Sequence, residues 1–119
     1  MPKKSIPLTD DIRLQHMLDA AQEALTFARG MDRTAFGNNR AIILAVVHDI
    51  QIIGEAASKV SQATREQCPV IPWRAIIDMR NHLIHGYFDV DVEQVWSTVV
   101  QDLPPLIAEL QKIMPNDRA

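Results

Sequence analysis

"NRAIILAVVHDIQIIGEAASKV", residues Asn39 to Val60, decides the fold. Placed at about 100° per residue, Ile42, Ile43, Ala45, Val46, Ile50, Ile53, Ala56, Ala57 and Val60 gather on one arc. His48, Gln51, Glu55, Ser58, Lys59 and Gln62 fill the opposite face. A helix patterned this way buries one side and hydrates the other. The spacing predicts a helix from Asn39 to near Gln67, roughly 43 Å long. Cys68-Pro69 ends it, because proline disfavours a helical residue before it. One residue breaks the pattern. Asp49 falls inside the apolar arc, beside Ile42, Ile53 and Val60.

The flanking segments repeat the helical period. Before it, Ile12, Met17, Leu18, Ala21, Leu25 and Ala28 predict a helix from about Asp10 to Arg29. Thr9 is its candidate N-cap, Asp10 and Asp11 suit the positive end of the helix dipole, and Gly30 stops it. "MDRTAFGNN" reads as a turn-rich connection. After it, Pro72 suits the first position of a helix that should end near Gly86. Asp91, with Gln94 three residues on, predicts the capped start of a further helix. Val92, Val95, Trp96, Val99, Val100 and Leu103 form its stripe, and Pro104-Pro105 should kink or break it. Leu106, Ile107, Leu110, Ile113 and Met114 continue an apolar face. Trp73 and Trp96 read as core anchors. No segment alternates with a strand's period, so the expected fold is all-α: an antiparallel bundle of four to five helices in one domain over residues 1–119, with residues 1–8 and 115–119 as flexible tails.

Composition agrees. The chain is 47% hydrophobic but only 5% aromatic, which favours aliphatic helix packing over a β-sandwich. Cys68 is the only cysteine, so no intramolecular disulfide can form. The longest apolar run, Ala41 to Val47, is too short to cross a bilayer, and no apolar stretch follows Lys3 and Lys4 as a signal peptide needs. A soluble, cytoplasmic protein is expected. Net charge is −3, from 12 basic and 15 acidic residues, which does not fit a nucleic-acid binder working by bulk electrostatics. RNA handling would need a local site. No metal site is expected: His16 and His48 lack partners at ligand spacing. No glycine-rich phosphate loop occurs, so no cofactor is expected.

A second stretch carries the chemistry: "MRNHLIHGY", Met79 to Tyr87. On the wheel, Arg80 lies with Trp73, Ile76, Ile77, Leu83 and Ile84, on the apolar arc. Asn81 and His85 lie on the other side. Two adjacent helices thus each place one charge among apolar residues, with opposite signs. A buried charge needs a partner. Asp49 and Arg80 are therefore expected to meet, within a protomer or across an interface. Arg80 and His85 are about 140° apart on an ideal helix, so one substrate touches both only if the helix ends near Gly86 or a second copy contributes.

Arg80, four residues, His85, one residue, Tyr87 resembles the signature of HEPN ribonucleases, in particular the HepT toxins. "IGEA" at Ile53 to Ala56, "PVIPWRAIIDMRN" at Pro69 to Asn81 and "DVEQVW" at Asp91 to Trp96 are similar to that family in the same order. The resemblance spans about Asp11 to Met114. It implies a HEPN-like helical bundle that forms a homodimer and cleaves RNA without a metal at the dimer cleft, with Arg80 and His85 catalytic. It also implies the toxin half of a type VII-like toxin–antitoxin pair. The antitoxin would be a minimal nucleotidyltransferase similar to MntA, which transfers AMP to Tyr87.

The residue chemistry is compatible with that. Histidine serves as acid or base near neutrality, and arginine's fork matches phosphate oxygens. Asn81 could orient His85 or touch substrate. His82 reads as a solvated or supporting histidine, and Glu55 as the i,i+4 partner of Lys59 with a supporting role implied by the family's "GEA". A different class of function uses the same residues: a non-catalytic nucleotide- or substrate-binding subunit of a nucleotidyltransferase complex, in which Arg80, His85 and Tyr87 grip phosphate without cleaving. A helical dimerisation module with a vestigial site is the third reading.

Overall fold

The computed structural model describes residues 6–79, 81–83 and 89–114. Apart from an isolated bridge position at Val90, all regular structure among them is helical. The elements are α1 (Leu8–Phe27), α2 (Arg33–Gly37), α3 (Arg40–Ser58), α4 (Gln62–Gln67), α5 (Trp73–Met79), α6 (Val92–Ser97), a π-helical turn (Thr98–Asp102) and α7 (Leu103–Ile113). The all-α bundle is as expected. Of the expected tails 1–8 and 115–119, residues 1–5 and 115–119 lie outside the described residues, and Leu8 already begins α1.

The central pair is α1 and α3, which share the most extensive interface and run antiparallel, the start of α1 meeting the end of α3. The Asn39 carboxamide accepts from the Ile42 N–H at 3.1 Å and opens α3 where the sequence predicts. Ile43, Val46, Ile50, Ile53, Ala56 and Ala57 are buried, as the wheel requires. By length and composition α3 could cross a membrane, but here its apolar face is consumed by the core against α1 and α5.

The expected single helix from Asn39 to Gln67 is two helices. The chain breaks over residues 59–61, where the Ser61 hydroxyl accepts from the Thr64 N–H at 3.3 Å and starts α4. The Arg65 guanidinium folds back and donates to the carbonyls of Val60 (3.1 Å), Ala57 (3.2 Å) and Ser58 (3.3 Å). The Ala57 carbonyl also accepts from the Val60 N–H at 3.2 Å, and the guanidinium adds donors where the carbonyls at the end of α3 run out of intrahelical partners. The connection after Gly30 also holds a short helix, α2, capped by Asp32 on the Ala35 N–H at 2.8 Å. Gly30 itself, at φ 79°, is the expected stop for α1.

Helix α1 begins before Thr9, which lies in its first turn and caps nothing; Pro7 holds the N-cap position without a side-chain bond. Asp10 does more than face the helix dipole. It is buried and accepts from the Ser61 N–H (3.0 Å), the Ser61 hydroxyl (2.6 Å) and the Thr64 hydroxyl (2.6 Å). Burial pushes its carboxyl up, but these hydrogen bonds outweigh burial and hold it below its ordinary value. Turning Asp10 inward sets the phase of α1. Leu14, Met17, Leu18, Ala21 and Ala24 are buried, whereas Ile12, expected in the core, is exposed.

Helix α5 ends at Met79, well before Gly86, and Asn81 to Leu83 form a turn. Its N-terminus is pinned by the buried Trp73 indole N–H, which donates to the Cys68 carbonyl at 3.1 Å. Asp91 caps α6 by accepting from the Gln94 N–H at 3.1 Å, as expected, and its own N–H donates to the Leu83 carbonyl at 2.8 Å. Trp96 is half-buried, its ring 5.1 Å from that of Phe36. Pro104 and Pro105 do not end the helical run, but they follow a break in its α-helical pattern. They occupy the first turn of α7, and the missing N–H groups are accommodated by the π-helical turn before it. That turn shifts the helical phase, so Val99 and Leu103 are buried while Val100, expected on the same stripe, is exposed.

Candidate functional site

Arg80, His85 and Tyr87 lie outside the described residues, and so does the expected Asp49–Arg80 pairing. The chain around them is described. Asn81, directly after Arg80, lines an open groove of about 520 Å³ between α1 and α3. Arg13 and His16 come from α1; His48, Gln51, Ile52, Glu55 and Ala56 come from α3, and Lys59 follows its end. The antiparallel pairing produces this. Two polar stripes, one per helix, face each other across the seam.

Two of the predicted site residues, Asn81 as a substrate contact and Glu55 as a supporting residue, are thereby brought into one groove. Glu55 accepts the Lys59 ammonium at 3.2 Å, the i,i+4 pair expected from spacing. Arg13 is half-buried and makes no ion pair among the described residues. His82 is exposed in the turn after α5 and does not line this groove. His16 and His48 do line it, although in the sequence they look like members of ordinary polar faces. The signal was present: Arg13 and His16 on one helix, and His48, Gln51, Glu55 and Lys59 on the next, each recur at three- or four-residue spacing.

A second cavity, about 200 Å³, adjoins the groove through His16 and Ile52, which line both. Asp19, Ala20 and Glu23 of α1 and Asp49 of α3 complete it. Asp49 is fully buried, as the wheel requires of its position. No hydrogen-bond donor reaches either of its oxygens among the described residues. Burial, then a hydrogen bond and like charge from Glu23, push its carboxyl up to about 7. Two ionised carboxylates offer no donor to each other, so the hydrogen bond exists only when one is protonated. Among the described residues, no three His, Cys, Asp or Glu side chains converge as a metal site would require. Cys68 is buried, and burial followed by the Glu109 charge pushes its thiol up, consistent with an unreactive cysteine.

Comparison with known proteins bears on the family of the chain. The family described as "Ribonuclease HepT-like" matches residues 17–113. A candidate RNase of Methanocaldococcus jannaschii is 37% identical over 116 residues, covering 98% of this chain and 97% of that one. A protein of Thermococcus cleftensis named probable ribonuclease HepT is 34% identical over 100 residues, 84% of this chain and 91% of that one. No solved structure matches the chain. With the family pattern covering the bundle from α1 to α7, the chain belongs to the HepT-like ribonuclease family.

Proposed function

We propose that this protein is a metal-independent endoribonuclease and the toxin half of a toxin–antitoxin pair, acting in the cytoplasm as a homodimer. The observation that carries the proposal is the intact order Arg80, His85, Tyr87 inside a family match that spans residues 17–113. The neighbouring Asn81 lines a polar groove, which supports a substrate site at this end of α5.

The chemistry follows from the side chains. The ribose 2′-oxygen attacks the adjacent phosphorus, the 5′-oxygen leaves, and a 2′,3′-cyclic phosphate results. One proton leaves the 2′-OH and one is delivered to the 5′-oxygen. In a dimer, two copies of His85 meet these needs, one as base and one as acid. Arg80 offsets the charge that builds on the non-bridging oxygens. The antitoxin, a small nucleotidyltransferase, transfers AMP from ATP to the Tyr87 hydroxyl with release of pyrophosphate. The added bulk and negative charge at the cleft repel RNA phosphate.

The net charge of −3 opposes an extended polyanion more than a single nucleotide, which leaves one alternative: a non-catalytic nucleotide-binding subunit of a nucleotidyltransferase complex, in which Arg80, His85 and Tyr87 grip phosphate without cleaving. Incubation of the purified protein with tRNA and mRNA in EDTA tests the two. The RNase reading predicts fragments ending in 2′,3′-cyclic phosphate; intact RNA supports the binding subunit.

A further inference from the structure

We propose that the groove between α1 and α3 seats a single-stranded RNA backbone beside the scissile bond, with Arg13 as its phosphate anchor. The inference rests on the ribonuclease reading and extends it to residues outside the motif.

The charge balance inside the groove singles out Arg13. Of the two cations lining it, Lys59 is held by Glu55 at 3.2 Å, so those charges offset each other. Arg13 is half-buried and without an ion pair among the described residues. A guanidinium that has given up part of its hydration without gaining an anion is poised to take one, and its planar fork fits two phosphate oxygens. The rest of the groove suits RNA more than an acidic protein surface. His16 and His48, one from each helix, present flat rings on which unstacked bases can lie. Gln51 and Asn81 add amide donors and acceptors for base edges or ribose hydroxyls. From His48 to Lys59 the groove follows α3 for roughly 16 Å, longer than one nucleotide step.

The same surface limits how far the strand runs. Beyond His16 and Ile52 the groove opens into the cavity of Asp19, Glu23 and Asp49, where carboxylates oppose phosphate. The strand therefore stays within the polar groove and does not enter the acidic cavity. This gives an acidic chain a local nucleic-acid site without a basic excess.

The test is anisotropy titration of a fluorescein-labelled 2′-O-methyl oligoribonucleotide, which lacks the attacking hydroxyl, at salt from 50 to 200 mM. Arg13→Gln is expected to weaken binding about 3- to 10-fold and to flatten the slope of log K against log salt by about 0.7, one phosphate contact on a single strand. Arg29→Gln, the same charge loss beyond the end of α1, is expected to keep the wild-type slope. Equal affinity and slope in the two variants would overturn the proposal, as would wild-type protein that does not bind the probe. Loss of antitoxin neutralisation in Arg13→Gln with RNA binding intact would also overturn it and make the groove a protein contact. A wild type that binds this probe with the predicted Arg13 dependence but leaves unmodified RNA uncut would refute the catalytic reading alone.

Discussion

Asp49 and Glu23 face each other across the seam between α1 and α3, and the Asp49 carboxyl is fully buried with no hydrogen-bond donor among the described residues. Burial first, then the hydrogen bond and charge of Glu23, raise the Asp49 pKa from 3.8 to about 7. The folded state therefore binds a proton that the unfolded state releases between those two values. Stability falls as pH rises through that window, and the ionisation penalty is complete above about 7. Asp49→Asn cannot ionise. Its melting temperature relative to wild type is expected to climb as pH is raised from 5 to 8, measured by thermal denaturation in matched buffers. Pairing of Asp49 with Arg80 would depress the carboxyl instead, and the difference would then shrink or reverse with rising pH.

Asp10 behaves in the opposite way. Burial raises its carboxyl, but the three hydrogen bonds from Ser61 and Thr64 win, and the net shift is below 3.8. Its contribution is fully present above 3.8 and is lost as pH falls through the lower folded value. Asp10→Ala leaves two hydroxyls and an N–H without their acceptor where α4 begins. A loss of about 1–3 kcal/mol is expected in urea unfolding at pH 7. The deficit should narrow in acid, where wild-type Asp10 protonates as well. Equal stability of wild type and variant at pH 7 would mean that this junction does not hold α1 to the end of α3.

Asp10 and Asp49 also mark where the sequence was legible and where it was not. Helical period alone identified α3's buried face and the anomaly of Asp49 within it, because a charge inside an apolar arc is a local signal. The approach of Glu23 was not legible, since it sits 26 positions earlier in sequence and meets Asp49 only once α1 and α3 pack; the expected pairing with Arg80 lies outside the described residues. Asp10 looked like a first-turn acid because nothing local announces Ser61 and Thr64, which reach it from more than fifty residues away. The break between α3 and α4 was missed for a related reason. Ser61 and Thr64 are modest helix formers that also cap, and only the return of Arg65 onto the α3 carbonyls favours the break. Val100 was misplaced because a π-helical turn changes the angular step that the stripe assumed. For the candidate site, residue types in "MRNHLIHGY" suggest a chemistry whose central residues lie outside the described ones, whereas the groove needed two helices brought side by side.

Tyr87 is the expected acceptor of AMP. On the proposed toxin–antitoxin reading, intact mass spectrometry of protein co-expressed with a cognate nucleotidyltransferase is expected to show AMP-sized increments that disappear in Tyr87→Phe. The modified protein should have lost RNA cleavage. Increments that persist in Tyr87→Phe would place the acceptor elsewhere, and their absence from wild type would remove modification as the means of neutralisation.

The central claim is that Arg80 and His85 cleave RNA without a metal. It is tested most directly by single-turnover cleavage of end-labelled RNA in EDTA, comparing wild type with His85→Ala and Arg80→Ala. Loss of a positioned acid or base costs about 100- to 10,000-fold. Removing a charge that stabilises the transition state costs about 100- to 1,000-fold. The account predicts wild-type cleavage that yields 2′,3′-cyclic phosphate ends, and losses of those sizes in variants that remain folded. Cleavage at wild-type rate by both variants would contradict it.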